Sequence, residues 1–223
     1  MVIINSPCNP TGSVMTKADL QAIDELAVKH DLLVISDEIY EKITYDKQKH
    51  YSIAALSRDP DRIITVNGFS KAYAMTGWRV GYAIASKTIT SAMVRMQQSA
   101  VSSGTTFAQK GAVAALRGPQ EPLQKMLREF EKRRQVIVDG LNKIEGFSVA
   151  KPKGAFYAFV DAKKLRKPSM ELSEFLLNEA KVVTTPGIAF GENGEGYIRM
   201  SYAASIEDIQ EGLENIKRAV DKL

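Results

Sequence analysis

The chain has 223 residues, 44% hydrophobic and 25% charged. That balance supports a sizeable buried core and excludes a disordered tail, a collagen and a coiled coil. Lys and Arg number 30 against 26 Asp and Glu, a net charge of +4. The two signs are interspersed. The densest basic run, Lys132-Arg133-Arg134, is flanked by Glu129 and Glu131 and reads as a solvated helix face rather than a nucleic-acid contact.

In chain order, Val2-Ile3-Ile4 is an apolar, β-branched run broken by Asn5-Ser6-Pro7, which predicts a strand. Thr16-Lys17-Ala18-Asp19 carries the pattern of a capping box, and Leu20, Ile23, Leu26, Ala27 and His30 follow at helical spacing. Leu32–Ile35 and Ile63–Val66 are two further apolar strands, and Arg79–Ala85 is a fourth. Continuous apolar strands separated by helices indicate an α/β sheet covered on both faces. A helical region covers roughly Thr88–Leu116 and is stopped at Gly118-Pro119. Pro122 then suits the first turn of a long helix whose stripe is Leu123, Met126, Leu127, Phe130, Ile137, Leu141 and Ile144, ending at Gly146. Beyond it the rhythm changes to a strand over Ala155–Val160, a helix over Ser169–Ala180, short strands over Val182–Thr185 and Tyr197–Ser201, and a final helix over Ser205–Leu223. The expected organisation is 1–118 as part of a mostly parallel sheet with flanking helices, and 119–223 as a connecting helix with a small α+β domain.

No apolar run reaches the length of a membrane span, and MVIINSPCNP lacks the basic-then-apolar order of a signal peptide. The single cysteine, Cys8, rules out an internal disulfide framework and suits a reducing compartment such as the cytoplasm. His30 completes a helix stripe and His50 lies in a polar loop, so no metal-ligand spacing is present.

Three successive strands end in polar or reactive groups: Asn5–Gly12, then Ser36-Asp37-Glu38-Ile39-Tyr40, then Ser70-Lys71. Ligands of open α/β sheets bind outside the carboxyl ends of strands, so these segments are expected to converge on one crevice. Taken singly, each has a plainer meaning. Asn-Pro-Thr-Gly is a turn, Asp37 a helix cap and Lys71 a solvated lysine.

Asn9-Pro10-Thr11-Gly12, Asp37-Glu38-Ile39-Tyr40 and Ser70–Tyr82, with Pro152–Tyr157 and Tyr197–Ser201, resemble the class I/II aminotransferases, the fold-type I enzymes dependent on pyridoxal 5'-phosphate. The Ser-Lys…Gly-Trp-Arg block is the most specific of these motifs, and their order fits over the whole chain. The resemblance implies that Lys71 is the lysine bonded to the cofactor as a Schiff base, because an amine can also shuttle the Cα proton. It implies Asp37 as partner of the pyridine nitrogen and Tyr40 and Asn9 as partners of the ring's phenolic oxygen. Ser70 and Arg79 are implied as phosphate ligands. Arg199, with Asn9, is implied at the substrate carboxylate, which a guanidinium fork matches with two parallel bonds. The Asn9–Pro10 bond is expected to be cis, since only X–Pro bonds carry a small cis penalty. Trp78 and Met75 are expected in packing, and Gly154 in a close turn.

The implied activity is transfer of an amino group between an amino acid (aspartate-like, aromatic or alanine) and a 2-oxo acid such as 2-oxoglutarate. A carbon–sulfur β-lyase and a noncatalytic aminotransferase-like sensor are the alternatives. The resemblance is to the C-terminal portion of the family. It implies an upstream segment that carries further strands, a phosphate-binding turn and a ring-stacking aromatic. The chain alone is therefore expected to hold cofactor weakly and to be ordered best with that half present. A homodimer is the expected assembly, with no nucleic-acid or membrane partner.

Overall fold

The computed structural model describes residues 1–223. By contact density the chain divides into two compact units, Met1–Pro7 with Val14–Gln124, and Cys8–Ser13 with Lys125–Leu223.

The first unit is built on a four-stranded sheet ordered β1-β2-β3-β4. Its strands are β1 (Val2–Asn5), β2 (Val34–Asp37), β3 (Ile63–Gly68) and β4 (Gly81–Ile84). The first three are parallel, with Val2 opposite Val34 and Val34 opposite Ile63, and β4 closes the sheet antiparallel. The return from β1 to the parallel β2 is made by α1 (Lys17–Lys29). Its start is fixed as the sequence indicates. Thr16 Oγ1 accepts from the Asp19 N–H at 3.2 Å and Asp19 Oδ2 accepts from the Thr16 N–H at 2.8 Å. Leu20 and Ala27 of α1 bury against Ile4, Val34, Ile53 and Ile63. Two members of the expected stripe turn outward: Leu26 is 54% exposed and His30 is exposed. Asp24 is buried in their place.

The helical region after β4 is two helices, α2 (Lys87–Val101) and α3 (Thr106–Arg117). The break falls on Ser102-Ser103-Gly104, where Ser102 adopts a φ of +63° that ends the helical hydrogen bonding. Next comes α4 (Glu121–Leu141), which stops before Ile144 because Asn142 turns its side chain onto Val149. Asn142 Nδ2 donates to the Val149 carbonyl at 3.1 Å, and its Oδ1 accepts from the Val149 N–H at 2.9 Å. The basic run on α4 is not a uniformly solvated face. Lys132 is exposed, but Arg134 is only 1% exposed, because its guanidinium finds an acceptor inside the protein, the Pro152 carbonyl at 2.8 Å.

The second unit holds a three-stranded antiparallel sheet ordered β5-β7-β6. Its strands are β5 (Tyr157–Asp161), β6 (Thr185–Pro186) and β7 (Tyr197–Ser201). Ala158, Val160 and Ile198 bury one face of it, and Leu172, Leu176 and Ile216 are equally buried. Leu172 lies on α5 (Ser169–Phe175) and Ile216 on α6 (Ile206–Val220). The expected helix over Ser169–Ala180 widens to a π-helical turn over Leu176–Ala180, and of the expected Val182–Thr185 strand only Thr185 pairs, the strand running Thr185–Pro186 instead.

Glu195 ties the start of α5 from a distant loop. Its Oε1 accepts from the Ser169 N–H at 2.6 Å and its Oε2 from the Ser169 hydroxyl at 2.8 Å. These bonds favour the carboxylate and hold its pKa below the ordinary 4.5. The resulting stability is present above the unfolded-state pKa and is lost as pH falls through the lower folded value. Glu195→Gln is expected to lower the melting temperature at pH 7, and the gap to wild type should narrow below pH 4.5. A thermal-unfolding series across pH measures this.

Candidate functional site

In the first unit, the parallel register sets Asn5, Asp37 and Val66 level across the sheet. Asp37 is the last residue of β2. Its Oδ1 accepts from the Ile39 N–H at 3.1 Å, a turn that fixes the carboxylate just past the strand end. Asn5 Nδ2 donates to the Asp37 carbonyl at 3.0 Å and holds the backbone there. Tyr40 follows, 3% exposed. From the end of β3 the chain runs through Phe69 to the half-buried Ser70 and Lys71. The Lys71 ammonium sits 5.8 Å from the centre of the Tyr40 ring. Arg79 is exposed, with φ at +51°, and its Nη1 donates to the Thr76 carbonyl at 2.7 Å. Met75 is buried as expected, whereas Trp78 is 44% exposed and lies against Phe107, ring centres 6.0 Å apart. A Cβ on Gly111 would fall 2.8 Å from the Trp78 ring.

Glu38 is a residue that motif reading passes over. It is 3% exposed, and Ser36 and Ser52 both donate to its Oε1, at 2.9 and 2.8 Å. His50 Nε2 lies 3.2 Å from its Oε2, so His50 is drawn out of the polar loop into a buried cluster. Glu38, Glu41 and His50 bring ligand-type atoms within 4.8 Å of one another, though the Glu38 oxygens already accept from protein donors. Burial, followed by the charges of Glu41, Tyr73 and Glu38, pushes the Tyr82 phenol up.

In the second unit, β7 is the central strand and sets Arg199 opposite Phe159 of β5 and Thr185 of β6. Arg199 Nη1 donates to Asn9 Oδ1 at 2.8 Å and Nη2 to Thr185 Oγ1 at 3.0 Å. The guanidinium carbon lies 4.5 Å from the Tyr157 ring centre and 5.1 Å from that of Phe190. Hydrogen bonds along its edge and π-faces beside it hold this cation in one orientation. Thr185, Tyr157 and Phe190 are the neighbours that sequence reasoning did not supply.

Asn9 reaches Arg199 from a tight loop. The Asn9–Pro10 bond is cis, as expected, and Ser6–Pro7 is cis as well. Cys8 N–H donates to the Ser13 carbonyl at 2.8 Å and Gly12 N–H to the Cys8 carbonyl at 2.9 Å. The Gly12 carbonyl accepts from both Lys153 and Gly154 N–H groups, at 2.8 and 2.9 Å, which is the close turn anticipated at Gly154. Gly12 has φ at +67°, and a Cβ there would meet Pro152 Cβ at 2.5 Å, so only glycine fits.

Glu38→Ala is expected to cost about 1–3 kcal/mol of stability, because it strands the buried Ser36 hydroxyl and the half-buried Ser52 hydroxyl. Glu38→Gln, which keeps an acceptor for them, should lose less. Denaturant unfolding of the two variants checks the order.

Residues 1–216 match the family described as aminotransferase class I and II. Among curated relatives, the aspartate aminotransferase of Pyrococcus abyssi is 48% identical over 221 residues, covering 98% of this chain and 57% of its own length. The aromatic-amino-acid aminotransferase 2 of Thermococcus litoralis is 46% identical over 221 residues, again 98% of this chain and 57% of that protein. The chain thus spans about 57% of the length of the curated relatives it matches. Among solved structures, the aromatic aminotransferase from Pyrococcus horikoshii OT3 superposes with a TM-score of 0.95 at 45% identity, covering 99% of this chain and 59% of that one. On the strength of a match that runs through nearly every residue, the chain belongs to the class I and II aminotransferase family.

Proposed function

We propose that this chain carries the lysine-bearing and carboxylate-binding part of an aminotransferase. It would use pyridoxal 5'-phosphate to move an amino group between an amino acid and a 2-oxo acid such as 2-oxoglutarate. The observation that carries the reading is the placement of Lys71. Its amine lies on the turn after β3, against Tyr40 and in the same unit as Asp37 at the end of the adjacent β2. An amine, a carboxylate and a phenol, with the hydroxyl of Ser70 and the guanidinium of Arg79, are the donor chemistry that an aldehyde, a pyridine nitrogen, a ring hydroxyl and a phosphate require. The residues fit the cofactor in kind.

Pyridoxal phosphate, when bound, would supply an electron-withdrawing ring that makes the substrate Cα proton easier to remove. Lys71 Nζ takes that proton as a general base and returns it as an acid. Asp37 would hold the ring nitrogen of the cofactor, and its negative charge would favour the protonated form. Tyr40 would donate its phenolic hydrogen bond to the ring oxygen of the cofactor. Arg199, held by Asn9 and Thr185, receives the substrate carboxylate. Residues 1–118 would form the cofactor-binding part and 119–223 the connecting helix and small domain.

The names of the relatives, aspartate aminotransferases and an aromatic-amino-acid aminotransferase, support aspartate-like and aromatic amino acids as substrates and transamination over the lyase and sensor alternatives. A homodimer in the cytoplasm accompanies the proposal. The lone Cys8 supports a reducing compartment, and no helix is long and apolar enough to cross a membrane.

Borohydride reduction of the chain with pyridoxal phosphate, followed by peptide mapping, is expected to place the label on Lys71 above all other lysines. Label spread evenly over surface lysines, in a form of the relatives' full length as well, overturns the assignment. Arg199→Ala is expected to weaken amino-acid binding by about 2–5 kcal/mol while leaving cofactor binding largely intact. Unchanged half-reaction kinetics with amino acid would remove Arg199 from the site.

A further inference from the structure

Arg134 is the largest of the fully buried side chains, and no motif accounts for it. A guanidinium taken out of water is costly unless its donors are met. Its Nη1 donates to the Pro152 carbonyl at 2.8 Å, and its Nη2 lies 3.6 Å from Glu131 Oε1, one turn back on α4. Pro152 is the residue on which Gly12 closes. The next two residues, Lys153 and Gly154, both donate to the Gly12 carbonyl. Gly12 in turn donates to Cys8, and between them stands Asn9, whose Oδ1 accepts from Arg199. The path from Arg134 to Arg199 is therefore continuous, through a buried side-chain bond, three backbone bonds and one side-chain pair, all inside the second unit. An apolar residue at 134 would leave the Pro152 carbonyl buried without this donor. A lysine has a single point of contact where arginine has a planar fork.

We propose that Arg134 is a positioning residue for the Asn9–Arg199 pair. By fixing Pro152 it fixes the Gly12 turn, and the turn presents Asn9 to the guanidinium. The inference rests on the reading of Arg199 as the carboxylate clamp. Its role is to set where that clamp stands before any substrate arrives.

The test is nuclear magnetic resonance on the 223-residue chain without ligand, comparing wild type with Arg134→Met. Amide hydrogen exchange at Gly12, Lys153 and Gly154 is expected to rise roughly ten-fold, while Val160 and Ile198 in the β5–β7 pair keep their protection. The guanidinium signals of Arg199 are expected to shift in the same variant. A merely stabilising role for Arg134 would speed exchange across the unit and leave those signals in place. Unchanged exchange at the three amides, or an unmoved Arg199 signal, overturns the proposal. Should the methionine variant fail to fold, Arg134→Lys carries the test. Faster exchange confined to the three amides, with a shifted Arg199 signal, supports the proposal, and wild-type behaviour overturns it. Failure of the clamp reading shows elsewhere, as unchanged amino-acid binding by Arg199→Ala.

Discussion

Parallel pairing of β1, β2 and β3 is the constraint from which the first unit's chemistry follows. Parallel strands share a direction, so their carboxyl ends fall on one side of the sheet. The register then fixes their heights: Asn5 stands opposite Asp37, and Asp37 opposite Val66. A slip of one residue would turn Val34 and Ile63 away from the core and carry Asp37 to the other face. The buried contacts of Ile4, Leu20, Val34, Ile53 and Ile63 oppose that slip. Hydrophobic packing on one side of β2 thereby decides where a carboxylate is offered on the other.

The antiparallel sheet of the second unit solves a different problem. Arg199 must present a charge in a partly buried place. As the central strand, β7 is flanked on both edges, so the side chains around Arg199 come from β5 and β6 as well as from the Asn9 loop. Alternation along β7 sends Ile198 and Met200 inward and Arg199 to the opposite face, toward Tyr157 and Phe190. Aromatic faces attract the cation without neutralising it, so its charge is still available to a carboxylate.

Much of this was legible in local sequence. β-branched runs such as Val2–Ile4 and Ile63–Val66 marked strands because nothing else packs them well. The Thr16 cap and the 197–201 strand needed no tertiary information. What escaped was set by partners far along the chain. Arg134 looked solvated because its neighbours are charged, and its acceptor is a backbone carbonyl 18 residues on, which no side-chain pattern reveals. Glu38 looked like part of a motif, yet two of its donors come from a returning loop at His50 and Ser52. The break between α2 and α3 hung on one serine in a positive-φ conformation, a choice that Gly104 close by only hints at. Asn9 and Arg199 could be named from motifs, but their direct bond to each other belongs to the folded chain alone.

That bond joins residues 190 positions apart. A ribosome adding about 5–20 residues each second would make Asn9 roughly 10–40 seconds before Arg199 exists. Throughout that interval the Cys8–Ser13 loop lacks the guanidinium that orders it in the finished protein, and for most of it the Lys153 and Gly154 donors are lacking too. The first unit can assemble its core around Leu20 and Val34 while synthesis continues. The small loop cannot. The Asn9 segment of the candidate site is thus made long before Arg199 yet takes its final shape only after Arg199 exists.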